Sequence, residues 1–258
     1  MTLLSVIMPG IRPRKWEKVD ESIEESLDGT NYELIICSPY QLPGHMDSKF
    51  KVKYVKDYGC PTRASNIAAS LAEGDLIFWT ADDGLFRPGA LKKLILESGL
   101  LQSGICLKKV ITAKYTEGGN SQPNSYFKMG NAYPRTPMID PDWWIFNVGL
   151  MRTSYFNYLG GWDCGFQACP LAHADMAIRA YRDGADVQFS EDEILDCEHM
   201  PGSSGDHGPI FVAQTYEDTP KFIAKHSQAC PGRIDMDNWK QAEPIWSKRF
   251  KKNVKTTS

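Results

Sequence analysis

The sequence predicts an α/β protein, a mostly parallel sheet flanked by helices. Three observations point to it. The apolar runs LLSVIM and YELIIC end abruptly in Pro9-Gly10 and Ser38-Pro39, as buried strands end in turns. These runs are continuously apolar, which suits strands covered on both faces. Segments of helical periodicity stand between the strand runs, an alternation that a parallel sheet requires for its crossovers.

In chain order, Leu4 to Met8 reads as the first strand and Trp16 to Leu27 as a helix. Tyr32 to Cys37 repeats the strand pattern, and Lys51 to Val55 (KVKYV) alternates as a half-buried strand does. In RASNIAASLAEG, Ala64, Ile67, Ala68 and Leu71 fall at helical spacing, with Thr62 as N-cap and Gly74 as the stop. Asp75 to Thr80 is the next strand. Pro88 suits the first turn of a helix whose buried face is Leu91, Leu94 and Ile95.

Composition narrows the function. The 258 residues carry a formal net charge of −3 with Lys and Arg spread along the chain, so nucleic acid is not an expected partner. The basic tail KRFKKNVK, Lys248 to Lys255, reads as a solvated terminus. Seven cysteines without a CxxC pair suit reduced thiols and a cytoplasmic location, with Cys164 and Cys169 structural. The N-terminal apolar run has no basic flank and stops at Pro9, so neither a signal peptide nor a transmembrane segment is expected.

The stretch FWTADDGLFRPGALKKL sets two like charges, Asp82 and Asp83, where a strand leaves the core. Repulsion disfavours that pairing unless a cation or a donor-rich ligand offsets it, although Asp and Gly are also ordinary turn residues. In an open α/β sheet, ligands gather at the carboxyl ends of the strands. Pro9-Gly10, Ser38-Pro39 and Ala81-Asp82-Asp83 should therefore line one crevice. Two carboxylates there suit a hard divalent cation, Mn²⁺ or Mg²⁺, bridging protein oxygens to phosphate.

LLSVIMPGIRP, YELIICSPY, the run from PTRASNIAASLAEG to GALKKL, YFNYLGGWDCGF and HADMAIRAYRDGADV together resemble the successive blocks of glycosyltransferase family 2 over roughly residues 3 to 215. The resemblance implies a GT-A fold over a single domain, 1–258. Residues 1–100 would form a nucleotide-binding half, 101–215 an acceptor and catalytic half, and 216–258 a C-terminal extension. It implies a nucleotide-diphosphate sugar as donor partner, while the acceptor, whether glycan, lipid-linked or protein, is not specified. Pro9, Gly10 and Arg12 match the family's nucleotide loop, and Ser38, Arg63 and Asn66 fall where nucleotide contacts are expected. Asp83 would hold the metal, with Asp82 beside it near the ribose.

Transfer from such a donor places negative charge on the leaving diphosphate, which a metal on Asp83 would offset as a Lewis acid. Inversion also needs a base for the acceptor hydroxyl. The family usually supplies it as the Asp of a Glu-Asp pair, and PLAHADMAIRAYRDG departs there. His173 stands in the base position, while Asp175 matches a later acid. Asp175 can equally pair with Arg179 four residues on, and His173, on the face of Met176, Ala177 and Ala180, can equally be a hydrogen-bonded core histidine. With the helix beginning near Leu171, His173 is placed first, Asp175 second and Asp163 as a reserve.

His207, in the Gly-flanked loop SSGDHGPI, is a candidate third metal ligand or an ordinary polar loop residue. Gly161, Trp162 and Asp163 resemble a turn beside the donor sugar and acceptor. Asp140 to Trp144 adds aromatic surface, with Trp143 and Trp144 expected in the core or wall. Ser38-Pro39 replaces an acid that commonly reads the base. Two other readings stay open: a nucleotidyltransferase, and a catalytically inactive glycan- or nucleotide-binding module.

Overall fold

The computed structural model describes residues 3–47, 49, 51–102, 107–122, 146–198, 212–227 and 232–246. The strands are β1 (Leu4–Pro9), β2 (Tyr32–Ser38), β3 (Val52–Lys56), β4 (Leu76–Trp79), β5 (Gly84–Phe86), β6 (Lys109–Glu117), β7 (Asn120–Gln122), β8 (Gly149–Arg152) and β9 (Asp186–Cys197). The helices are α1 (Trp16–Leu27), the single turn α2 (Gly44–Asp47), α3 (Pro61–Ser70), α4 (Ala90–Ser98), α5 (Thr153–Leu159), α6 (Cys169–Arg182) and α7 (Thr219–His226).

One sheet runs β3-β2-β1-β4-β8-β6-β9-β5, with β7 paired to β6. The registers set β1, β2, β3, β4, β6 and β9 in one direction and β5, β7 and β8 in the other. The sheet is thus mostly parallel and flanked by helices, as the sequence predicts. Continuous apolarity in the first strands has a direct cause. Leu4, Val6 and Met8 of β1 pack with α1 and α4 on one face, while Ile7 packs with α3, α5 and α6 on the other. Successive side chains point to opposite faces, so two covered faces leave no polar alternation. Burial of each such large side chain contributes about 1.5–3 kcal/mol.

Local boundaries differ from expectation in instructive ways. Helix α3 begins at Pro61 with Cys60 as its N-cap, and Thr62 lies buried inside the first turn. Proline's fixed φ and missing N–H fit the first helical position, which shifts the cap one residue outward. Gly89, with φ of 71°, caps α4, so Pro88 stands just before that helix. Strand β3 is partly exposed throughout rather than cleanly two-sided. Helix α6 starts at Cys169, two residues before Leu171. Among the described residues no helix is long and apolar enough to cross a membrane.

Candidate functional site

The carboxyl ends of β1, β2, β3 and β4 open on a cavity of ≈ 380 Å³. Its wall takes Pro9 to Arg12 after β1, Cys37 and Pro39 at the end of β2, Asp57 and Gly59 after β3, and Ala81 to Asp83 after β4. Pro61 and Ala64 of α3 and Ala168 to Pro170 at the start of α6 close one side, joined by Gln214 and Trp246. Parallel strands present these ends at one edge of the sheet, so breaks far apart in sequence converge. Pro9, Gly10, Arg12, Asp82 and Asp83 therefore share one cavity. A Cβ on Gly10 would stand 2.8 Å from the Trp16 ring, which fixes glycine where the first loop folds over the indole.

Asp82 and Asp83 have different tasks. Asp82 is buried, and its Oδ2 accepts the backbone N–H groups of Ile11 (2.6 Å) and Arg12 (2.5 Å) and Trp16 Nε1–H (3.1 Å). Its Oδ1 accepts Arg12 Nη1–H at 2.5 Å. This carboxylate thus serves the first loop as a template, rather than presenting free lone pairs to a ribose. Asp83 keeps an accessible edge, with Arg12 Nη2 3.7 Å from its Oδ2. Burial pushes the Asp83 carboxyl above its usual range, Arg12 opposes this and Asp82 adds to it.

A desolvated carboxylate without a strong partner is a fitting anchor for a hard cation that draws its other ligands from phosphate and water. Asp83 fits that role, whereas the acceptor positions of Asp82 are occupied by protein donors. Among the described residues no cluster of three His, Cys, Asp or Glu side chains could hold a metal. His207 lies outside the described residues, as do Trp143 and Trp144. Glu198, the last described residue before that loop, donates its N–H to the Asp83 carbonyl at 3.1 Å.

The remaining nucleotide candidates act through the scaffold. Ser38 is buried, and its Oγ accepts the Tyr40 N–H at 3.0 Å, shaping the turn that carries Pro39. Arg63 grips Asp57 through Nε (3.1 Å) and Nη2 (3.1 Å) and donates Nη1–H to the carbonyls of Trp239 and Ala242. Asn66, wholly buried, donates to the Trp162 carbonyl (2.7 Å) and accepts the Trp162 N–H (2.9 Å). It holds the Gly161-Trp162 turn rather than facing the cavity. Gly161, at φ of 64°, leaves no room for a Cβ against Asn66 Oδ1.

Helix α6 separates the two base candidates. Asp175 is wholly buried, accepting Arg179 Nε–H at 2.8 Å and lying 2.6 Å from Lys225 Nζ and 3.0 Å from His226 Nε2. Burial alone would raise its carboxyl. The Arg179 charge, the His226 hydrogen bond and Lys225 together hold it well below the usual range. Asp175, expected as the second base, is engaged here in a buried ion-pair network with Arg179, Lys225 and His226. His173 is partly exposed, packs on Trp162 with ring centres 5.6 Å apart, and stands one helical turn below cavity-lining Cys169. Burial pushes its imidazole down to about 3. Asp163, at the end of the Gly161-Trp162 turn, pairs with Lys225 Nζ at 2.6 Å.

Asp57, Gln214 and Trp246 in the cavity wall, and Lys225 and His226 at Asp175, were given no site role from the sequence, and Cys169, expected to be structural, also lines the cavity. Apart from Asp57 none follows a strand, and Lys225 and His226 meet Asp175 only through tertiary packing of α7 on α6. Asp57 alone had a clue, since it directly follows β3.

No family model and no curated protein sequence matches the chain. Solved structures do. S. aureus TarS 1-349 in complex with UDP is similar at 15% identity and a TM-score of 0.53, over 87% of this chain and 70% of that one. TarS 1-349 in complex with UDP-GlcNAc is similar at 14% identity and a TM-score of 0.51, over 87% of this chain and 71% of that one. Against the longer S. aureus TarS structure the match covers 99% of this chain and 46% of that one, at 14% identity and a TM-score of 0.53. At such identities the likeness establishes the fold alone, a mixed α/β, mostly parallel, Rossmann-like sheet flanked by helices.

Proposed function

We propose that this chain is a glycosyltransferase that binds a nucleotide-diphosphate sugar in the strand-end cavity and moves the sugar to an acceptor hydroxyl. One observation supports this most: the first-strand loop, Arg12 and the Asp82-Asp83 pair share a cavity at the strand ends. The fold is that of TarS, a glycosyltransferase whose structures include UDP and UDP-GlcNAc complexes. Within this reading the chain is family 2-like and inverting.

Asp82 fixes the loop so that the Arg12 guanidinium stands between the two carboxylates, and in this reading it meets the donor diphosphate. Asp83, with His207 as a further ligand, would hold a divalent cation, which when bound would supply Lewis-acid stabilisation of the departing diphosphate. His173 takes the proton from the acceptor hydroxyl. It is neutral at physiological pH, so a nitrogen lone pair is free, and the cost of charging it falls on the transfer step. Asp163 is the second reading for the base, favoured because a carboxylate avoids that cost. It would first have to release Lys225.

A panel of nucleotide sugars incubated with Mn²⁺ tests the proposal. Release of a nucleoside diphosphate from one donor, lowered roughly 10²–10³-fold in Asp83→Ala, is the expected result. Release of pyrophosphate would indicate a nucleotidyltransferase, and donor binding without any release a binding module. Single-turnover transfer should fall in His173→Ala with donor affinity kept. Full transfer there and loss in Asp163→Asn would move the base to Asp163.

A further inference from the structure

Helix α7 and the turn before it grip one short segment, residues 163–168, which joins the Gly161-Trp162 turn to the start of α6. Asp218, wholly buried, accepts the N–H groups of Gln167 (2.9 Å) and Ala168 (2.7 Å). Lys221 Nζ donates to the Gly165 carbonyl at 2.9 Å, and the Phe222 ring packs on Phe166 with centres 6.1 Å apart. Lys225 reaches furthest in. Its Nζ stands 2.6 Å from Asp163 Oδ2 and 2.6 Å from Asp175 Oδ1, with the Phe166 ring centre 5.7 Å away.

The two carboxylates depend on Lys225 differently. Asp175 also engages Arg179 and His226, so it keeps two donors if the ammonium is lost. Asp163 pairs with no other cation among the described residues: its Oδ1 accepts the Gly165 N–H at 2.8 Å, and Lys225 engages Oδ2. Burial opposes the charge of Lys225, while Asp175 and Asp163 hold its ammonium above the usual range. Asp163 directly follows Trp162, whose ring packs on His173 with centres 5.6 Å apart. Both base candidates thus border one tryptophan. One is tied to a cation, and the other has no charged partner among the described residues.

We propose that Lys225 is a positioning residue that selects the base: by holding Asp163 against α7, it leaves the acceptor proton to His173. The inference rests on the transfer reaction and the His173 assignment proposed above, and adds the reason why the neighbouring carboxylate is not used. The chemical step is the same with either base. The base takes the hydroxyl proton as the oxygen bonds to the anomeric carbon, and the bond from that carbon to the diphosphate breaks, its electron pair leaving on the diphosphate. An ammonium on Asp163 competes for the lone pair that this proton needs. Without it, a carboxylate held by one backbone N–H is a competent proton acceptor.

Nucleoside diphosphate release from the responding donor of the panel, with Mn²⁺, tests this through a gain of activity, which a merely structural role does not produce. His173→Ala should lower the rate roughly 10²-fold, and Lys225→Met added to it should raise the rate again at least about tenfold through Asp163. Adding Asp163→Asn should return the rate to that of His173→Ala alone. Lys225→Arg, which keeps the cation, should give no gain in the His173→Ala background. Lys225→Gln, which keeps a hydrogen-bond donor for Asp175 and guards against a folding defect in Lys225→Met, should repeat the gain. The donor KM should stay within about twofold across the series, since only the proton-transfer step changes. No gain from a folded Lys225→Met or Lys225→Gln, an equal gain from Lys225→Arg, or a gain that survives Asp163→Asn would overturn the inference alone. Full activity in His173→Ala would overturn the base assignment and this inference with it, and no release from any donor by the unaltered protein would overturn the transfer reading itself.

Discussion

Adjacent residues of one type can carry opposite consequences for stability, and Asp82 and Asp83 do. Asp82 satisfies three N–H donors and a guanidinium in a buried loop. Asp82→Asn should destabilise the protein by about 3 kcal/mol in chemical denaturation, since an uncompensated buried partner remains. Asp83 has its carboxyl raised by burial, so its folded form binds a proton more readily than its unfolded form and is penalised once the pH exceeds that range. Asp83→Asn should thus hold or raise the midpoint of thermal unfolding at neutral pH while removing Mn²⁺-dependent nucleotide binding. A large loss of stability there would mean that Asp83 is structural. His173 gives a pH signature. Its imidazole titrates near 6.5 unfolded and at about 3 folded, so protonation favours the unfolded chain. Stability should fall as the pH drops from about 6.5 toward 3, and His173→Gln should flatten that slope relative to the parent. The sequence exposed the aspartate pair as unusual but not the division of labour, which depends on Trp16 and Arg12 folding back onto Asp82.

Elements built from local pattern were legible, and those built from distant contacts were not. Strands β1, β2 and β4 announce themselves through runs that are apolar apart from Ser5, Glu33 and Ser38, and α1 through its periodicity. β5 has only three residues and exists because Gly84 to Phe86 pair with Cys197 to Leu195 of β9, more than a hundred residues away. The same contrast holds within α6. The Asp175–Arg179 pair is a spacing of four on one helix and could be read directly. Lys225 and His226 reach Asp175 from α7, and no local pattern foretells that. Asp175→Asn should therefore cost about 3–5 kcal/mol, more than an exposed helix pair of that spacing would. A loss under about 0.5 kcal/mol, the scale of an exposed pair, would show that the α6–α7 network is unimportant. The turn before α6 offers a companion test. Gly161→Ala places a side chain at positive φ and against Asn66 Oδ1. Its unfolding midpoint should drop further than that of Gly184→Ala, which has positive φ but open space around it.

At the scale of the whole molecule, one mostly parallel sheet brings four strand ends to a common edge, where the loop after the first strand meets residues 236–246, a C-terminal strap held to α3 and to Tyr58. Pro9 to Arg12 come from the first strand and Trp246 from the C-terminal strap. The crevice at the strand ends was readable because parallel sheets leave few other places for a ligand. The strap was not, because a single bridge and a few carbonyl contacts leave no periodic trace in the sequence. The central claim is that this edge binds a nucleoside diphosphate through Asp83 and a divalent cation. Its most direct measurement is a calorimetric titration of uridine diphosphate, with and without Mn²⁺, into the parent protein and into Asp83→Asn. Saturable one-site binding that strengthens at least roughly tenfold with Mn²⁺ in the parent, about 1.4 kcal/mol, and loses that gain in Asp83→Asn, is the predicted result. Mn²⁺-dependent binding that survives unchanged in a folded Asp83→Asn, or no binding of any nucleoside diphosphate to the parent, would contradict it.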